Sequence, residues 1–536
     1  MQKITSTEEL DLLDLPQASK WASSLLNKQV TPANIAYLVQ YGKIQKLGDN
    51  GSTLVSKADL QHYYNTILGR RETSWKSKLG EDLNWHLSFD NLREVDTTKH
   101  VHRLHPYKGK FIPQLVEYFL DGHLDDFKKE ACFKPGDIVL DPFSGSGTTM
   151  VQANELGMHA IGIDISAFNA LLANIKVSHF DLTDVAHEMN QITAALKKFL
   201  ADNSTVEFDQ NISDALSKFN ATHFPSPEFK RRVHLKQVDE DKYGAKQLAT
   251  FLPYYQHQVE KFNIKLRQDH QDSFLGKWYL DQVRQEIDFV FSMVKKIPNH
   301  QTKKLVSVVL SRTIRSCRAT THADLATLKE PVVAPYYCAK HGKICKPLFS
   351  ILGWWETYCK DTLKRVIQFS KLRSQTWQYC IAGDACEVNI LAALEHKNPH
   401  FADIVRVNKI RGIFSSPPYV GLINYHEQHA YAYDLFGFER NDEHEIGRMA
   451  LGQGRIARDR YVDAIASVLT NSRKFMVNDF DVFLVANDKY GLYPIIAERA
   501  GMQIIEQFNR PVLNRTERDK AAYSEIIFHL KDKPLC

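Results

Sequence analysis

No apolar run in the 536-residue chain approaches the roughly 18 residues that a membrane-crossing helix requires. The opening MQKITSTEELDLLDL carries acids where a secretion signal places a basic and then an apolar segment. A cytoplasmic location is therefore expected, with no membrane partner. Eight cysteines show no disulfide spacing, so reduced thiols are the expected state. Internal repeats and low-complexity tracts are missing too, which excludes a solenoid or a disordered scaffold. A formal net charge of +5 with 22 histidines permits a polyanionic partner without demanding one. What remains is an ordinary globular composition, 43% hydrophobic and 24% charged, in a chain long enough for about two to four domains.

Within that composition, Asp141-Pro142-Phe143-Ser144-Gly145-Ser146-Gly147-Thr148-Thr149 follows the strand-like Asp137 to Leu140 and precedes a helix-like Met150 to Leu156. Glycines at a strand-to-helix turn let backbone close around a ligand. The loop has no lysine for a triphosphate, and its acid would repel a pyrophosphate. A second strand, Ala160 to Ile163, ends at Asp164, an acid placed to accept both hydroxyls of a ribose. S-adenosylmethionine, which carries a ribose and a positive sulfonium but no phosphate, fits these features.

A second stretch, Ser415-Ser416-Pro417-Pro418-Tyr419, follows the apolar-and-charged run Phe401 to Phe414, which reads as a strand. Proline cannot donate to a sheet ladder and restricts the residue before it, so the strand must stop there. Tyr419 is then held at a strand's C-terminal edge, where open α/β sheets bind ligands. An aromatic beside freed carbonyls can clamp a flat, amine-bearing ring; a proline-ended turn with a packed tyrosine is the plainer alternative.

Together the two stretches resemble the bacterial amino-group DNA methyltransferases, which methylate cytosine N4 or adenine N6. Asp141 to Thr149 matches that family's cofactor loop and Ser416 to Tyr419 its catalytic loop. The resemblance implies an α/β, Rossmann-like seven-stranded S-adenosylmethionine-dependent fold carrying a large, mostly helical insertion. It assigns Ser416, Pro417, Pro418 and Tyr419 to catalysis. It assigns Asp141, Phe143, Gly145, Gly147, Thr148, Asp164, Ile165, Asp384 and Ala385 to the cofactor, with Lys110, Phe111 and Pro113 of the preceding segment covering its methionine end. A lysine near a sulfonium is electrostatically unhelpful unless it points away.

The order of these parts divides the chain. Residues 1–95 read as a helical extension, either a DNA-contacting unit or a packing arm, and 96–180 with 371–536 as the catalytic core. After the helix Phe168 to His179 the next convincing strand end is Asp384, so 181–370 reads as an insertion, with helices at Val185 to Leu200, Tyr255 to Gln268, Leu280 to Lys295 and Lys303 to Arg318. By resemblance the insertion reads the DNA sequence. Arg312, Arg315 and Arg318 recur on one helix face and suit phosphates, or salt bridges within the domain. Phe229 to Lys236 could also reach a groove. Gly452 to Arg460, with Arg455 and Arg458, reads as a mobile basic loop, and Asn509 to Thr516, with Arg510 and Arg515, as a late loop closing on the target base.

No metal is expected. Cys338, His341 and Cys345 lack a second close cysteine pair, and Cys317, Cys359 or His322 would have to fold back to complete a zinc set. A buried, reduced pair is the simpler expectation. Around the base pocket, Asn424 stands where relatives tend to carry Asp, and Glu427, His426 and His429 read as a satisfied polar network rather than a base or metal ligands.

An exocyclic amine is a poor nucleophile because its lone pair is delocalised. The site must accept its protons and aim the nitrogen at the methyl donor. No Pro-Cys pair stands in the catalytic loop, which excludes the covalent route of carbon-5 methylation. Ser416, where N6-adenine enzymes usually have Asp or Asn, favours cytosine N4 by family pattern; adenine N6 is the alternative, followed by an RNA base or a non-catalytic DNA-binding protein. The expected partner is double-stranded DNA with a specific sequence, beside a separate cognate endonuclease, the enzyme acting as monomer or homodimer.

Overall fold

The computed structural model describes residues 11–26, 29–48, 53–65, 78–80, 82–89, 92, 94–107, 109–201, 203–322, 328–512 and 523–534. Seven strands form the central sheet: β1 (Ile138–Asp141), β2 (His159–Asp164), β3 (Gln378–Ala382), β4 (Ile410–Ser415), β5 (Met476–Ala486), β6 (Met502–Pro511) and β7 (Ser524–Asp532). Their order across the sheet is β3-β2-β1-β4-β5-β7-β6. The first five are parallel to their neighbours, and β7 runs antiparallel between β5 and β6. This is the expected Rossmann-like sheet with its helical insertion.

The chain builds outward from β1 to β2 and β3, then returns to the other side of β1 for β4. The crevice at such a reversal is where open α/β sheets hold ligands, and the glycine loop after β1 and the Ser-Pro-Pro-Tyr stretch after β4 meet there. Every residue of β1 is buried, as is all of β4 except Arg411. Strands covered on both faces in this way read as nearly continuous apolar runs rather than alternating ones.

Between β2 and β3 lie the helices Leu182–Ala201, Ser204–His223, Glu240–Lys261, Asp281–Lys296, His300–Ser316 and Leu352–Ser370, with a small antiparallel ribbon, Tyr336–Cys338 with Lys343–Cys345. The first helix buries Val185, Met189, Ile192, Leu196 and Leu200, one stripe at helical spacing. Its neighbours pack through the helix Ala167–Val177 onto the sheet, so the insertion and one sheet face share a continuous apolar core. Residues 12–64 hold a smaller core of their own around Ala22, Ile35 and Leu60, and pair a short ribbon, Leu12–Asp14 with Leu54–Ser56, alongside the expected helices.

Several elements differ from the sequence reading. The run Phe401 to Phe414 is not all strand: Pro399 starts a helix to Asn408, capped by the Asn398 side chain, and only Ile410–Ser415 joins the sheet. Proline is favoured in a helix's first turn, which the apolar pattern concealed. Tyr255 to Gln268 is largely the end of Glu240–Lys261. Gly452 to Arg460 is not a basic loop, because a helix begins at Arg455 and runs to Arg473. Asn509 to Pro511 belongs to β6, while Arg515 and the rest of 513–522 lie outside the described residues, as do 70–77 of the N-terminal basic stretch.

Candidate active site

The glycine loop keeps its shape for local reasons. Gly145 (φ +50°) and Gly147 (φ +76°) are left-handed, and a Cβ on Gly147 would lie 2.8 Å from the Ala173 Cβ. Only glycine combines that backbone with that approach. The carbonyl of Ser146 accepts from the buried Lys176 ammonium, and Thr149 Oγ1 donates to the Phe414 carbonyl at 3.3 Å, tying this loop to β4. Ser415 Oγ donates to Asp141 Oδ1.

A cavity of about 820 Å³ opens above these strand ends. Among the expected residues, Lys110, Phe111, Asp141, Phe143, Gly145, Thr148, Asp164, Ile165, Asp384, Ala385, Ser416 and Pro418 line it. Pro113, Gly147, Pro417 and Tyr419 do not: Pro113 starts the helix Pro113–Leu120, Gly147 sits at the N-terminus of Thr148–Glu155, and Tyr419 lines a different cavity. Tyr107, Asn169, Tyr425 and Glu445 complete the wall. Tyr107 stood within the cofactor-covering segment and could have been found there; Asn169, Tyr425 and Glu445 have no motif to mark them.

The wall is acidic. Asp164 accepts from Gly145 N at 2.8 Å, Ser166 N at 2.9 Å and Asn169 Nδ2 at 3.1 Å. Burial nevertheless outweighs these bonds and pushes its carboxyl up to about 7; burial likewise raises Asp141 to about 6. Asp384 and Glu445 add two further carboxyls. The lysine of this wall turns away: Lys110 Nζ donates to the His102 carbonyl at 2.8 Å, and burial lowers its pKa to about 8. Asn169 Oδ1 is buried without a hydrogen-bond partner among the described residues. A cavity with acids, an unfilled acceptor and, among the described residues, no lysine or arginine directed into it suits a cationic ligand bearing hydroxyls better than a phosphate.

At the catalytic loop, Ser416 Oγ donates to the Val485 carbonyl at 3.0 Å. That bond consumes the hydroxyl proton and leaves the oxygen to accept from another group. Tyr419 is anchored by its hydroxyl, which donates to Glu525 Oε1 at 3.0 Å, and it lines a second cavity of about 540 Å³ with Gln453, Asn487, Asp488, Tyr490 and Tyr493. Glu525 lies 3.8 Å from Arg510 Nε.

Arg510 is therefore buried against Glu525 rather than presented to DNA. Arg312 is corrected likewise: it is buried, ion-paired with Asp361 and lies 4.1 Å from the Tyr358 ring centroid. Arg318 is buried too, its guanidinium 5.8 Å from the Tyr431 ring centroid, and Arg315 is partly buried beside it. The helix His300–Ser316 carries Arg312 and Arg315 but ends before Arg318, so the three do not continue one helix face, and Arg312 and Arg318 are buried in the protein. In the 229–236 stretch, Lys230 pairs with Glu240 and Arg231 donates to Gln45. Arg455 is exposed, and Arg458 lies 4.7 Å from the Tyr490 ring centroid at the rim of the second cavity. Glu427 points outward to Arg440, while His426 is buried on Glu445. Asn424 Oδ1 accepts from Met449 N at 3.1 Å, holding two loops together.

Residues 70–174 match the family described as DNA methylase. The chain is 43% identical over 536 residues to the type II methyltransferase M.MjaII of Methanocaldococcus jannaschii, covering 97% of both proteins. Two shorter matches are M.MvaI of Kocuria varians, 27% identical over 23% of this chain and 25% of the other, and M2.DpnII of Streptococcus pneumoniae, 35% identical over 19% and 38%. Both are also type II methyltransferases.

Proposed function

Because the chain belongs to the amino-group (N4/N6) DNA methyltransferase family and is an S-adenosylmethionine-dependent enzyme, we propose that its target is the exocyclic N4 of a cytosine flipped out of duplex DNA. The observation that carries this reading is the Ser416 hydroxyl, committed as donor to Val485 and so presented to the cavity as a neutral acceptor. S-adenosylmethionine supplies an electrophilic methyl group at its sulfonium.

The acidic wall holds that cation, with Asp164 accepting from ribose hydroxyls, Asp384 from the adenine amino group, and Tyr107 and Phe111 closing over the methionine end. Ser416 Oγ and the Pro417 carbonyl accept the two amino protons of the target, which favours a pyramidal nitrogen with its lone pair aimed at the methyl. Tyr419, fixed by Glu525, offers its ring for stacking. Methylation makes the nitrogen cationic, and it then gives up its proton to solvent. We assign Arg455 and Arg458 to contact with the DNA backbone and 181–370 to target reading, Arg455 being exposed and Arg458 lying beside Tyr490. We place the enzyme beside a separate endonuclease in a restriction-modification pair, in keeping with its type II relatives.

Transfer of tritiated methyl to duplex DNA, followed by nucleoside separation, tests the reading. N4-methylcytosine is the expected product. N6-methyladenine would overturn the choice of base, and no label in the DNA would overturn the substrate.

A further inference from the structure

Away from the cavity, four side chains from two separate stretches converge at one end of the insertion. His322 follows the helix His300–Ser316 by six residues; Cys338 ends one strand of the small ribbon, His341 lies in its turn and Cys345 ends the other strand. One ligand atom from each falls within 4.8 Å of all the others. We propose that His322, Cys338, His341 and Cys345 bind one structural zinc ion.

The geometry argues for a tetrahedral ion in particular. With Zn–S of about 2.3 Å and Zn–N of about 2.0 to 2.1 Å at tetrahedral angles, a ligating sulfur and nitrogen stand about 3.6 Å apart. His341 Nδ1 is 3.5 Å from both Cys338 Sγ and Cys345 Sγ, and His322 Nδ1 is 3.9 Å from Cys338 Sγ. Two thiols and two imidazoles form a donor set that favours zinc over magnesium, calcium or manganese, which prefer oxygen. The set is also closed: four protein ligands leave no position for substrate, as in structural rather than catalytic sites.

The surroundings show what the ion would hold. Ile344 exchanges two backbone hydrogen bonds with the Asn220 side chain, and Tyr337 Oη donates to Glu240, so the ribbon already docks on two insertion helices. His322 belongs instead to the connector leading into the ribbon, and Tyr336 Oη lies 2.7 Å from its Nδ1. Entry of the ion replaces that hydrogen bond and ties the connector to the ribbon. His322, exposed and already engaged, is thus the weakest of the four ligands.

Full-length protein purified under reducing conditions without chelator is expected to contain about one zinc per chain by mass spectrometry of the metal. Cys338→Ser and Cys345→Ser should lose it, His322→Ala should release it faster to a chelator, and Cys359→Ser, outside the cluster, should retain it. Cobalt added to the metal-stripped native protein should give the intense visible bands of a tetrahedral site and thiolate charge-transfer absorption, a readout that survives if a cysteine variant fails to fold. Zinc retained in Cys338→Ser, or a native protein with neither zinc nor the tetrahedral cobalt spectrum, would overturn the proposal.

Discussion

Ser416 works through one oxygen with its proton already spent. Replacing it by alanine removes an acceptor from the target amine but none from the cofactor cavity's acidic wall. Transfer is expected to fall by about 10²- to 10³-fold, the usual range for one transition-state hydrogen bond, while calorimetry finds cofactor affinity nearly unchanged; full turnover in Ser416→Ala would remove the residue from its role. Asp164 carries a pH signature. Ionised, it offers both oxygens to the ribose hydroxyls, and protonation gives up one of them; its carboxyl is raised to about 7, so cofactor affinity should be complete above that pH and weaken as pH falls through it. Binding near pH 7 should release a proton, visible as a buffer-dependent heat; an affinity flat from pH 8 to 6 would contradict this. For the cofactor-free chain the sign is opposite. The folded state holds this proton more tightly than the unfolded state, so the raised acid opposes folding above about pH 7 and ceases to as pH falls towards 4.

At the scale of elements, arginines that look alike in sequence separate by the face their helix presents. Arg312 is buried against Asp361. Arg312→Met leaves Asp361 to Arg365 alone and should cost about 1.5 kcal/mol of stability, the usual worth of one charged hydrogen bond, read as a lowered Tm, with the salt dependence of DNA binding intact in protein that remains folded. Arg455→Ala should do the reverse, leaving Tm unchanged and reducing the slope of log affinity against log salt by about 1. The loops after β1, β2 and β4 were legible because glycine, a strand-end acid and paired prolines each impose a backbone consequence. Glu525, which anchors Tyr419, and Arg510 were not. Their contribution depends on β6 and β7 pairing, which sets Arg510 opposite Glu525 and brings Glu525 to the tyrosine, a long-range fact that no local pattern carries. His322 was legible only as one of several histidines and cysteines that could fold back, since the path of the connector decides which one arrives.

Across the whole molecule, the apolar core runs from the sheet into the insertion without a break, whereas residues 12–64 keep a small core apart. Calorimetry should therefore show the insertion and sheet melting as one cooperative transition, with the N-terminal unit as a separate, minor one. Independent melting of 181–370 would refute that coupling. Joining β2 to β3 only after the insertion also has a cost in time. When β2 leaves the ribosome its outer edge, His159–Asp164, has unsatisfied backbone groups, and its partner Gln378–Ala382 emerges about 200 residues later. At roughly 5 to 20 residues per second that is a wait of about 10 to 40 s. Throughout that interval an apolar strand edge is open to pairing with other nascent chains. Slow or crowded synthesis should therefore aggregate this protein through β2, and early folding of the insertion helices against that sheet face is what shortens the exposure.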